Sequence, residues 1–173
     1  EYRPAANVRF GQDTYTAPWT LNRLFVTTGE KRRALWAVSY HVPNFPSLLE
    51  RIDPVSGTSL SRYWSNGYIS VVKEITLQGR RLIAVGATNN ETRGGSLALF
   101  PADAVTGSAP ADKANYRCMD CPPGGPAAFV VFPRSCVVEA EGDQAQVESV
   151  TVSDTGDLWV GVRQTLPYSG RQV

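Results

Sequence analysis

The chain has 173 residues, with seventeen Lys and Arg against sixteen Asp and Glu and a formal net charge of +1. The basic residues are scattered rather than gathered into a stripe, which excludes nucleic acid as an expected partner, because phosphate binding needs a concentrated positive patch. Apolar residues make up 42% and charged residues 19%, with 15 Gly and 12 Pro punctuating short apolar runs, and that is the balance of an all-β domain.

Apolar spacing of helical period is hard to find in any long window, whereas β-branched and aromatic runs recur. Strands are expected over Arg23–Thr28, Ala34–Val42, Ser47–Asp53, Ser59–Ser65 and Tyr68–Leu77. Further strands are expected over Arg81–Thr88, Ser96–Pro101 and Ala127–Pro133, with a pair across Val147–Val162. The connectors "DPVSG", "LQGRRL" and "SDTGDL" carry the Pro, Asp and Gly that tight reversals require. Sequential hairpins of this kind build meandering antiparallel sheets, and the connections are too short for parallel crossovers. Two regions break the rhythm, the first twenty residues and a long loop over 102–126, in which Ala102–Val105 is compatible with one helical turn. Residues 1–173 are read as a single all-β domain. Because the chain begins at Glu1 rather than Met, a processed or excised part of a longer protein is expected.

Few motifs carry chemistry. There is one histidine, His41, and no nucleophile elbow, P-loop, H-E-x-x-H or dinucleotide fingerprint. No catalytic residue, cofactor or metal is assigned. The candidate ligand site is "TNNETRGG": Asn89 and Asn90 present amides, Glu91 a carboxylate and Arg93 a guanidinium, beside glycines that allow close backbone approach. A hairpin turn capped by its own side chains accounts for the same residues. His41, closing an apolar strand, is a further candidate ligand contact; a buried or rim histidine bonded to its turn accounts for it as well, and in a hydrolase it would be the catalytic base.

All three cysteines lie in "NYRCMDCPPGGPAAFVVFPRSC". One C-x-x-C, a lone cysteine and a distant histidine fit structural zinc poorly, since such sites want four ligands. Pro122 and Pro123 preclude the continuing helix of a thioredoxin-like motif. A disulfide from Cys136 to Cys118 or Cys121 is expected, with "PPGGP" reversing the chain between them; the small ring Cys118–Cys121 is the alternative. A bridge suits an oxidising, extracytoplasmic compartment, periplasmic or secreted.

Three segments, "ALWAVSYHVPNFPSLLERIDPVSGTSLSRYWSNGYIS", "RLIAVGATNNETRGGSLALFPADAVTGSAP" and "YRCMDCPPGGPAAFVVFPRSCV", resemble in that order the β-propeller-like carboxy-terminal regions of uncharacterised bacterial multidomain proteins. In those proteins integrin-like FG-GAP blades often come first, and kinase or winged-helix domains are common neighbours. "VSDTGDLWVGV" is similar to the blade repeat of bacterial regulator propellers, but occurs once, and the calcium loop of FG-GAP blades is absent from the sequence. The resemblance implies antiparallel hairpin sheets in a partial propeller, completed by missing amino-terminal blades or by self-association; a compact β-sandwich is the alternative. It implies a fold and a domain context and no activity; the function expected beside it is a non-enzymatic sensory or interaction domain of a bacterial regulatory protein, whose partner is a protein or a small polar ligand. The alternative is a hydrolase acting on carbohydrate or peptide, which the sixteen acidic residues leave open although the sequence singles out no acid–base pair. No stretch reaches the roughly 20 apolar residues that cross a bilayer, so no membrane contact by this segment is expected.

Overall fold

A computed structural model describes residues 7–10, 13–16, 19–28, 33–41, 47–65, 67–88, 94–108, 117–118, 125–132 and 144–165. Strands β1 (Asn7–Phe10) and β2 (Asp13–Thr16) form a hairpin of their own. An antiparallel meander follows, of β3 (Trp19–Thr28), β4 (Arg33–His41), β5 (Ser47–Ile52) and β6 (Ser59–Ser65). A second meander contains β7 (Ile69–Leu77), β8 (Arg80–Thr88) and β9 (Gly95–Pro101). Short β10 (Gly107–Ser108) and β11 (Arg117–Cys118) precede its last strand, β12 (Ala128–Phe132), which pairs with β9. The hairpin of β13 (Gln144–Val152) and β14 (Leu158–Thr165) closes the described chain. Among the described residues there is no helix.

The expected hairpins are present. At the β7–β8 turn both central residues have positive φ, Gln78 at 50° and Gly79 at 74°, the backbone that matches the twist of two paired strands. Asp53 caps the β5–β6 turn, its Oδ1 accepting from the amides of Val55 at 2.8 Å and Ser56 at 3.4 Å.

Four features differ from the sequence reading. The first twenty residues, read as outside the strand pattern, contain the β1–β2 hairpin. Ala102–Val105 is no helical turn but a tight bend, in which the Ala104 amide donates to the Pro101 carbonyl at 3.0 Å. The segment read as loop, 102–126, contains β10 and β11, and β10 pairs parallel with β6, Gly107 opposite Tyr63. Such two-residue strands carry no periodicity, and β10 owes its place to the free edge of β6. Finally, β3 begins at Trp19, because its first residues pair with the end of β4, Trp19 opposite His41.

Two cores hold the strands in three layers. The first lies between the meanders, where Trp36, Val38, Leu49 and Tyr63 meet Ile83, Val85, Phe100 and Phe129. The Tyr63 and Phe100 rings stand edge to face with centroids 4.7 Å apart, a contact worth about 0.5–1.5 kcal/mol beyond the area it buries. The second core lies on the opposite face of the second meander, where Ile75, Leu82, Ala84, Leu97 and Leu99 meet Val147 and Val150 of the β13–β14 hairpin. The third layer is tied to the second by one strand pair, Gln146 opposite Thr88, and otherwise lies across its face. The arrangement is all-β and, apart from the β10–β6 pair, antiparallel; the second sheet curls so that β13–β14 lie over its own face, which fits a partial-propeller-like arrangement and a sandwich equally.

Since β8 and β9 are sandwiched between both cores, "LIAVGAT" and "SLALF" are buried along their whole length, and such strands read as continuous rather than alternating apolar runs. On β7 the alternation slips at a bulge between Ile69 and Val71, so Ile69 and Val72 both face the first core while Ile75 faces the second. The Ser70 hydroxyl at this bulge donates to the Val147 carbonyl, and Lys73 Nζ donates to the Val150 carbonyl at 2.9 Å, which fastens the third layer.

Gly86 permits that crossing: a Cβ there would lie 2.6 Å from Val147 Cγ1 and 3.3 Å from the Val147 carbonyl oxygen. Gly86→Ala is expected to lower the unfolding free energy by about 1–3 kcal/mol, read from the urea midpoint. In the double variant with Val147→Ala the loss should be smaller than the sum of the two single losses; strict additivity would contradict the contact. Asp53 supplies a pH test. The Val55 amide, then that of Ser56, holds its carboxyl below the ordinary value of 3.8. A group lowered on folding stabilises above its unfolded pKa and loses that contribution as pH falls through the folded value. The stability difference between the parent and Asp53→Ala should therefore be full above about pH 4 and shrink below it, as followed by acid titration of thermal unfolding.

Candidate functional site

At the end of the stack where β3, β5, β7 and β9 finish, the two meanders splay into a cleft of about 250 Å³. Its floor is Trp36, 1% exposed, whose Nε1 donates to Thr27 Oγ1 at 2.9 Å. That bond satisfies the indole donor and fixes the ring. Four charged side chains line the walls, Arg51 from the first meander, Glu74 and Arg81 from the second, and Asp103 from the bend after β9.

The two ion pairs differ. Arg81 donates to Glu74 Oε1 from Nε at 2.9 Å and from Nη2 at 2.6 Å, a charge-assisted pair across the β7–β8 hairpin. Arg51 Nη1 stands 3.9 Å from Asp103 Oδ1, and the Asp103 side chain is 94% exposed. A pair that long and that wet contributes about 0–1 kcal/mol, so Arg51 can exchange Asp103 for another carboxylate at little cost. Both guanidiniums thus border one small polar cavity above an indole floor.

The ends of β4 and β8, which lead to His41 and Asn89, lie at the opposite end. There Tyr68 Oη donates to Asn22 Oδ1 at 2.6 Å, Arg23 Nη1 donates to the Ser70 carbonyl at 3.0 Å, and the Arg23 guanidinium sits 6.0 Å from the Tyr68 ring. The Tyr40 and Tyr68 rings are 6.1 Å apart, and the Tyr68 amide donates to Thr88 Oγ1 at 2.7 Å. His41 follows Tyr40 as the last residue of β4, and Asn89 follows Thr88, so the fold brings the two strand ends that carry them to the same side. Asn89, Asn90, Glu91 and Arg93 lie outside the described residues; Thr88 opposite Gly95 makes their segment the connection of a hairpin. Cys118 ends β11, which pairs antiparallel with β12 opposite Phe129. Cys121 and Cys136 lie outside the described residues.

Among the described residues no group of three or more His, Cys, Asp or Glu is placed to hold a metal ion. Sequence reasoning missed the cleft because its charges come from separate segments brought together by stacking. One part was legible: once Gln78-Gly79 is read as a two-residue turn, Glu74 and Arg81 fall diagonally across the hairpin. No family model, curated protein or solved structure matches this chain.

Proposed function

We propose that this chain is a non-enzymatic sensory or interaction domain of a bacterial regulatory protein, receiving a small polar ligand that carries a carboxylate. The observation that supports the reading is the pairing of two arginines with a rigid indole floor in one small cleft. Guanidinium forks suit carboxylate recognition, and about 250 Å³ lies just below the range of about 300–1,000 Å³ typical of small-molecule sites. Asn89, Asn90, Glu91 and Arg93, which connect β8 to β9, and His41, the last residue of β4, are the second candidate contact, for a protein or a polar ligand. The resemblance to propeller-like regions of bacterial regulators supports the same class.

One observation favours the hydrolase reading: Glu74 and Asp103 line the same cleft. Against it, Glu74 already accepts two bonds from Arg81. Thermal-shift measurements with acetate, succinate and free amino acids should raise the melting temperature of the parent. Arg51→Ala should abolish that rise while changing the unfolding free energy by less than about 1 kcal/mol. Turnover of chromogenic glycosides or peptides that disappears in Glu74→Gln would overturn the binding reading in favour of hydrolysis.

An extracytoplasmic location belongs to this proposal and rests on the cysteines. A bridge from Cys136 to Cys118 or Cys121 is expected to stabilise the domain by about 2–4 kcal/mol. Digestion without reductant should leave two peptides joined through sulfur across "PPGGP"; three free thiols in protein isolated without reductant would remove both the bridge and the compartment.

A further inference from the structure

Each meander has four main strands, whereas β13 and β14, which continue the second sheet through the β13–β8 pair and fold over its face, make a layer of two. Among the described residues β14 has no partner strand on its outer edge, and β1–β2 hydrogen-bonds to neither sheet. An isolated two-stranded hairpin is marginal in water. The order of strands makes the two pairs complementary. In the first meander β5–β6 come last and lead through 66–68 into the first strand of the next layer. In the same way β1–β2 lead through 17–18 into β3. Hence β13–β14 occupy the first two places of a layer, and β1–β2 the last two.

The side-chain surfaces show where such a layer would sit. On the face of the first meander turned away from the first core, cross-strand rows run from Leu21 through Ser39 and Leu48 to Trp64 and from Leu24 through Ala37 to Glu50. Ser39, Leu48, Trp64, Ala37 and Glu50 are all 2% exposed or less. On β3 the same face is open: Leu21 is 43% exposed, Leu24 58% and Val26 60%. The uncovered stripe thus lies along the first strand of the layer, where the first strands of a neighbouring layer would stack, as β7 contacts β3. The outer face of the β13–β14 hairpin presents the matching feature, Trp159 at 64% exposure. An apolar groove of about 310 Å³, lined by Leu97, Leu99, Ala128, Val130 and Leu158, also stays open beside that hairpin over β9 and β12. It lies where the last two strands of the third layer would pack.

The geometry points to a head-to-tail pair of identical chains, in which β1–β2 of one copy completes the half-layer β13–β14 of the other and Trp159 packs on the Leu24–Val26 stripe of its partner. One chain cannot satisfy itself this way, because two whole layers separate its halves and stacked rings of this kind need at least about four blades. Two copies supply two whole layers each and two composite ones, a closed ring of about six in which the outer edge of each β14 is paired and only short edges remain. The inference rests on the layered fold and is independent of the ligand cleft.

The test is the solution mass of the full chain and its variants. Light scattering after size exclusion should give twice the 18.8 kDa chain mass. Trp159→Lys and Leu24→Lys should each be monomeric with unchanged circular dichroism, each with at least tenfold weaker association. Mixing the two should restore a dimer, since in a head-to-tail pair one of the two joints then carries both native residues. Should Trp159→Lys fail to fold, Leu24→Lys alone carries the test, because its site is a surface of the folded chain on the opposite side of the stack. A monomeric parent at about 100 µM, a dimer indifferent to both substitutions, an open polymer, or a mixture that stays monomeric would each overturn the proposal.

Discussion

The structure depends on burying β8 and β9 on both faces. Fully buried apolar side chains such as Ile83, Val85, Leu97 and Phe100 contribute about 1.5–3 kcal/mol each, and they point alternately into two different cores. Neither core survives without the other, because strands this apolar cannot leave one face in water. The first meander and the β13–β14 hairpin are therefore both obligatory covers. This explains why β13 crosses at a glycine, fastened by Ser70 and Lys73 to its backbone: the third layer makes one strand pair with the second and is held by its face.

The cleft follows from the same stacking. Where the strands finish, the close contact of the meanders gives way and their last side chains can be charged. Arg51, Glu74, Arg81 and Asp103 occupy this margin because guanidiniums and carboxylates can reach water there while Trp36 beneath them stays dry. The opposite margin is filled differently, with Arg23 bonded to the Ser70 carbonyl, Tyr68 to the Asn22 side chain, and the Tyr40 ring beside that of Tyr68. A filled end and an open end give the domain a polarity, and the proposed ligand belongs to the open one.

Stacked layers also create a boundary problem that a closed barrel avoids. Every layer added covers one face and exposes another, so the first and last layers keep apolar surface unless something terminates the stack. On the first meander the middle of the outer face is buried and the β3 column is not. A partially covered face of this kind marks an incomplete layer better than a uniformly polar one would.

The sequence alone determined the class of fold and the hairpin order. Turn residues such as Asp53, Gly79 and Gly156 act locally, and the continuous apolar runs of β8 and β9 already state double burial. The strand bulges, the parallel β10 and the start of β3 were not legible, since each exists to satisfy a partner strand far along the chain. For the candidate site, the Asn89–Arg93 turn was readable as polar and turn-forming, whereas the cleft was not, apart from the Glu74–Arg81 diagonal. Only the tertiary structure decided that Arg51 and Asp103, distant in sequence, meet over Trp36, because face-to-face packing sets that proximity by the register of two meanders, and no local preference of either segment records it.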